Sequence, residues 1–210
     1  ALEQKAEEGD TWAPREALAA AASALLGQEA AQCDRVIDAL AGRQAVVVEQ
    51  TGDGRHLIAL PRLSQAEDDA ARRLARLLSA PAAALSGGPS ESAVHEAGLF
   101  EKESGVTFSN QQKAAVREAY DRKVVVITGG PGTGKTPLLT ALVRGLSRRG
   151  ARVALCAPTG RAAKRMEEAT GREAKTIHRL LEWSPLAGGF LRDERTPLPC
   201  DALVVDEMSM

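Results

Sequence analysis

Eight consecutive residues, Gly129-Gly130-Pro131-Gly132-Thr133-Gly134-Lys135-Thr136, fit the spacing G-x-x-x-x-G-K-[ST]. Glycines at 129, 132 and 134 let the backbone fold tightly without Cβ clashes. The N–H groups of Gly130, Gly132, Thr133 and Gly134, with Pro131 shaping the turn, then point inward. A helix opening at Gly134 adds partial positive charge at the same place. Such a loop suits a chain of phosphates. Lys135 is placed to reach the β and γ phosphates of a triphosphate such as ATP, and Thr136 to offer its hydroxyl to Mg²⁺. About 70 residues further on, the run LVVDEMSM ends an apolar stretch with Asp206 and Glu207. One carboxylate of such a pair holds Mg²⁺ (Asp206, with Thr136) and the other orients or deprotonates a water (Glu207). Phosphoryl transfer to water depends mostly on such positioning and charge stabilisation.

Pro137 follows Thr136 directly. A proline is tolerated in the first turn of a helix, where N–H groups have no helical partner. It nevertheless removes one donor from the phosphate cradle, so weaker nucleotide affinity is expected.

Other polar clusters surround this core. CAPTGRAAKRM, Cys156 to Met166, reads as a strand end followed by a helix opening at Thr159, Gly160 and Arg161. A helix start of that kind suits a nucleic-acid phosphate, and a βα turn with a solvated basic helix explains it equally well. FSNQQKAAV places Gln111 and Gln112 one helix before the glycine loop, where an amide can read an adenine edge. His178 in KTIHRLL fits a nucleic-acid contact or, equally well, a helix-packing or capping role. LSGGP at 85–89 precedes the loop, which excludes the transporter signature that it superficially matches.

The elements that must position these residues follow from periodicity and punctuation. Expected helices run from Pro14 to Gly27, from Glu29 to Leu40 and from Ser64 to Leu78, with a hairpin around Gly52-Asp53-Gly54 between the second and the third. Two helices followed by a hairpin suggest a winged-helix-like α+β domain over 1–78. Small residues, Pro and Gly around 79–92 mark a linker, taken as 79–105. Over 106–210, helices alternate with apolar runs at Val124–Thr128, Arg152–Pro158 and Ala202–Asp206. These read as a parallel sheet covered by helices on both faces. The fold class is α/β.

Charge divides the same way. Residues 1–105 carry 10 Lys and Arg against 17 Asp and Glu, and residues 106–210 carry 17 against 11. The basic half fits contact with phosphates. Three widely spaced cysteines make no zinc or CxxC pattern, and a reducing cytoplasm is the expected compartment. No apolar run approaches the roughly 20 residues of a membrane span.

In order, FSNQQ, VITGGPGTGKT, CAPTGRAAKRM, KTIHRLL and VVDEMSM resemble the motifs of superfamily 1 helicases. The resemblance is strongest to the RecD-like branch, which includes the exonuclease V alpha subunit and TraA proteins. It covers about residues 106–210, and the segment before it more loosely resembles the winged-helix region of longer members. The resemblance implies an incomplete RecA-like P-loop NTPase domain, with adenine contacted by Gln112 and single-stranded DNA by Thr159, Gly160, Arg161 and His178. It also implies 5′ to 3′ translocation driven by ATP and Mg²⁺, in partnership with a second RecA-like domain. The chain departs from the family at Pro137 and stops three residues after Glu207. Slow hydrolysis and self-association through an open sheet are therefore expected. A non-catalytic DNA-binding module with a vestigial nucleotide site is the alternative.

Overall fold

The computed structural model describes residues 1–80, 91–130 and 132–210. The chain divides into a unit at Ala1–Ser79 and a unit at Ala80–Met210.

In the first unit, α1 (Leu2–Glu7) leads to β1 (Trp12–Pro14), α2 (Arg15–Leu26), α3 (Ala30–Gly42), β2 (Val47–Gln50), β3 (His56–Ala59) and α4 (Pro61–Ser79). Pro14 ends β1 and caps α2, and Gly27 closes α2 in the left-handed conformation at φ 65°. The hairpin forms where expected. β1, which carries no strand pattern of its own, joins it to give an antiparallel sheet in the order β1-β3-β2. Ala13, Leu18, Ala19, Ile37 and Ile58 make the core between this sheet and the helix pair. Arg15 fastens the pair, donating to Asp34 at 2.6 Å and to Asp38 at 2.7 Å.

The second unit contains α5 (Glu91–Ser104), α6 (Asn110–Asp121), α7 (Lys135–Arg148), β4 (Val153–Ala157) and α8 (Gly160–Thr170). After these come β5 (Lys175–Thr176), α9 (Ile177–Leu180), β6 (Trp183–Ser184), β7 (Gly189–Phe190) and β8 (Ala202–Val205). The stretch read as linker thus includes α5, which packs on α6 and α7 through Ala97 and Phe100. Those two join Phe108, Val116, Leu138, Ala141 and Leu142 in one core. The LSGGP run lies outside the described residues.

A three-stranded parallel sheet forms in the order β5-β4-β8. Its membership corrects the expectation at one strand. Val124–Thr128 is not a strand, and Val126 is 82% and Ile127 37% exposed. β4 lies between β8 and β5, and among the described residues no strand pairs with the outer edge of β8, so Val124–Thr128 has no ladder partner. An apolar β-branched run has the propensity for a strand, but a strand also needs a hydrogen-bonding neighbour. The two faces of the sheet are covered unequally, with Cys156 buried at 2% on the face that Leu203 shares. Val143 of α7 and Met166 of α8 meet Leu155 and Val204 on one face. Leu203, one residue along β8 and so pointing the other way, is 47% exposed.

Candidate functional site

The glycine loop is shaped by its own side chains. Gly132 and Gly134 adopt φ of 74° and 81°, a region that costs other residues strain. Thr133 Oγ1 donates to the Gly130 carbonyl at 2.8 Å. A Cβ at Gly129 would stand 2.6 Å from that hydroxyl, so a side chain there would displace the turn. Lys135 Nζ donates to the carbonyls of Gly129 and, at 3.2 Å, Gly130. The ammonium therefore sits inside the loop. Pro131 lies outside the described residues.

Gly134 caps α7, so Lys135, Thr136 and Pro137 form its first turn. Leu138 is the first to donate back into the helix, to the Gly134 carbonyl at 3.2 Å. Pro137 thus costs the helix no bond, as expected of a first-turn proline. The Lys135 and Thr136 side chains are exposed at this amino end. Glycines that leave room for a bound group, a helix start and a lysine folded into the loop together fit a triphosphate.

Gln112 approaches the loop from α6. Its Nε2 donates to the Thr133 carbonyl at 3.0 Å. Its Oε1 accepts from Ser109 N at 2.8 Å, while Ser109 Oγ accepts from Gln112 N at 3.2 Å. This reciprocal pair is a capping box. Glu101 of α5 steadies the approach by accepting from Phe108 N at 2.6 Å and pairing with Lys113 at 3.1 Å. Those contacts hold its carboxyl below the usual range, the Phe108 N–H contributing most.

Asp206 and Glu207 follow β8. Asp206 N donates to the Cys156 carbonyl at 3.0 Å, which carries the β4–β8 ladder one residue beyond the strand. Asp206 Oδ1 accepts from Glu207 N at 2.9 Å. Glu207 holds φ 54°, a left-handed conformation that non-glycine residues adopt at a cost of about 1–3 kcal/mol. Cys156 and Val205 are register partners in parallel strands, so Asp206 leaves the sheet at the same rim as Pro158 and Thr159. Among the described residues, no hydrogen bond or ion pair joins Lys135 or Thr136 to Asp206 or Glu207.

Thr159 caps α8, its Oγ1 accepting from Ala162 N at 3.2 Å. Gly160 opens the helix, and Arg161, Lys164 and Arg165 are exposed while Ala162, Ala163 and Met166 are buried. His178 lies in α9, which Thr176 caps. Its ring stands 5.6 Å from Phe190 and 6.2 Å from Trp183. The β6–β7 hairpin carrying those two aromatics was not foreseen. Its signal was Trp183 and Phe190 flanking Gly188-Gly189 in a chain with only 3% aromatic residues. Among the described residues no helix is long and apolar enough to cross a membrane.

Residues 112–210 match the family described as AAA domain. The ATP-dependent RecD2 DNA helicase of Deinococcus radiodurans is 39% identical over 160 residues, which is 76% of this chain and 21% of that protein. The RecBCD enzyme subunit RecD of Mycolicibacterium smegmatis is 40% identical over 124 residues, 48% of this chain and 22% of that subunit. The ATP-dependent DNA helicase dda of Enterobacteria phage T4 is 36% identical over 92 residues, 41% of this chain and 21% of its own. The chain spans about a fifth of the length of these relatives.

Proposed function

Because the chain belongs to the RecD-like branch of the superfamily 1 helicases, we propose that it supplies the ATP-binding part of an ATP-dependent DNA helicase. The observation that carries this reading is the glycine loop, closed around the Lys135 ammonium at the amino end of α7. Phosphate oxygens take over the positions that the Gly129 and Gly130 carbonyls now fill around Nζ. The N–H groups of Gly130, Gly132, Thr133 and Gly134 are the donors to cradle the β phosphate, with Pro131 among the residues in contact with it. Thr136 and Asp206 are the residues to hold Mg²⁺, which neutralises charge on the phosphates when bound. Glu207 orients and deprotonates the attacking water, and its strained backbone sets its direction.

The remaining assignments belong to the same proposal. Thr159, Gly160, Arg161 and His178 contact single-stranded DNA, in keeping with the basic surplus of residues 106–210. Residues 1–78 act as a winged-helix-like domain, and the stretch 79–105 leads to a RecA-like domain over 106–210 whose core takes in α5. A second RecA-like domain completes the nucleotide cleft and confers 5′ to 3′ translocation in the cytoplasm. A vestigial nucleotide site on a DNA-binding module is the second reading, favoured by Pro137 in the first turn of α7. To decide, ATP binding is titrated on this chain and on Lys135→Ala, and DNA-stimulated hydrolysis is compared between this chain and a C-terminally extended one. ATP binding that Lys135→Ala abolishes, with stimulated hydrolysis in the longer chain, supports the helicase reading. DNA binding without nucleotide binding in either chain overturns it in favour of the second.

A further inference from the structure

We propose that Thr140 is a positioning residue that fastens the nucleotide end of α7 to α8 and so couples nucleotide binding to DNA binding, an inference that rests on the reading of both sites above. Thr140 and Thr170, each 5% exposed, are the buried polar residues among those described. Thr170 is satisfied locally: its hydroxyl donates to the Met166 carbonyl one turn back at 2.7 Å and accepts from Arg172 N at 3.3 Å. Thr140 reaches beyond its own helix. Its Oγ1 stands 2.9 Å from the Thr136 carbonyl, one turn back in α7, and 3.3 Å from the carbonyl of Ala169, 29 positions on in α8. Ala169 belongs to the last turn of α8, whose carbonyls lack partners within the helix, and the Thr140 hydroxyl offers one of them a donor. A hydroxyl carries one proton. Turned to Thr136 it closes α7 on itself, and turned to Ala169 it ties α7 to α8. Thr136 is the residue whose own hydroxyl is assigned to Mg²⁺, so a bound nucleotide acts on the same turn. The other end of α8 opens with Thr159, Gly160 and Arg161, the residues assigned to DNA. The 11 residues of α8 join the two ends over about 16 Å. Val143 of α7 and Met166 of α8 share a core cluster beside the link, so the two helices are packed as well as bonded.

Thr140→Val keeps the shape of the side chain and removes the donor, whereas Thr140→Ser keeps the donor and removes a methyl group. The affinity for a labelled oligothymidylate is measured with and without saturating β,γ-imido ATP, for the parent and both variants, together with each unfolding temperature. In the parent the nucleotide is expected to change DNA affinity about fivefold or more. Thr140→Val should bring that ratio to about one while each ligand still binds alone, and Thr140→Ser should retain it. A lower unfolding temperature in Thr140→Val with the parent's ratio intact would overturn the proposal and leave Thr140 as a packing residue. Equal loss of the ratio in both variants would also overturn it, because the donor would then not be the cause. Amide hydrogen exchange on the parent needs no variant to fold: β,γ-imido ATP is expected to slow exchange along α8, and unchanged exchange there would overturn the link. If the parent bound no β,γ-imido ATP or no oligothymidylate, the reading of the corresponding site would itself fall, a result separable from the others because it concerns one ligand at a time.

Discussion

At the residue scale, two positions show how local geometry sets the sign of a substitution. Pro137 occupies the third position of α7 and brings no N–H to the phosphate cradle. A hydrogen bond to a charged group contributes about 1.5–3 kcal/mol, part of which water recovers. Pro137→Thr is therefore expected to tighten ATP binding several-fold in a calorimetric titration, and equal dissociation constants would refute the idea. Gly145, inside α7, makes the second case. Replacing a helical glycine by alanine ordinarily stabilises by up to about 1 kcal/mol. Here the new methyl would collide with Tyr120 Oη and approach Glu96 Cβ to 3.1 Å. Tyr120 cannot easily withdraw, because the Arg149 guanidinium lies 4.4 Å from its ring centre. Gly145→Ala is expected to destabilise by about 1–3 kcal/mol, read as a lower thermal midpoint. The motif residues of the loop were legible in sequence because glycine, lysine and threonine each have few reasons to share that spacing. The contact of Gln112 with the Thr133 carbonyl was not, since it depends on an approach between residues 21 positions apart.

At the element scale, the helices followed their punctuation. Ser109, Thr159 and Thr176 cap α6, α8 and α9, and Gly27 and Gly171 end α2 and α8 in the left-handed conformation. These signals are local, so sequence carries them. The strands behaved differently: Val124–Thr128 had the propensity without a partner, while Lys175 and Thr176, too short a run to show a strand pattern, had one. One ion pair ties together the starts of two neighbouring strands. Arg152, ahead of β4, reaches Asp201, ahead of β8, at 2.9 Å, and Arg152 N also donates to Asp201 Oδ2 at 2.8 Å. The guanidinium and that N–H pull the Asp201 carboxyl down to about 2. A depressed carboxyl contributes stability that is full above the unfolded value near 4 and is lost as pH falls through about 2. The parent should lose more stability between pH 5 and 2 than Asp201→Asn does. Parallel losses in urea denaturation across that range would refute this role.

At the scale of the whole molecule, the exposed apolar residues of the second unit decide behaviour in solution. Val126, Ile127, Leu203, Met208 and Met210 are all exposed, and β8 is hydrogen-bonded on the side facing β4. An open strand edge beside apolar side chains invites pairing with another chain. This chain is expected to self-associate with rising concentration. A monodisperse monomer in light scattering at high concentration would show that the surface is harmless. The proposed contact with single-stranded DNA belongs to this scale too, because it would draw on the basic surplus of the second half. Arg161→Ala should weaken DNA binding without regard to sequence and lower its salt slope by about one, leaving thermal stability unchanged.

The sequence by itself determined the helices apart from α1 and α5, several of their caps, the glycine loop and the acidic pair that follows an apolar strand. Each of these is set by neighbours a few residues apart. Only the tertiary structure decided which strands share the sheet, that β1 joins the hairpin, that α5 is part of the core, and that Gln112 reaches the glycine loop. Those outcomes depend on hydrogen-bond partners and close approaches between segments distant in the chain, and no local propensity encodes which segment will arrive.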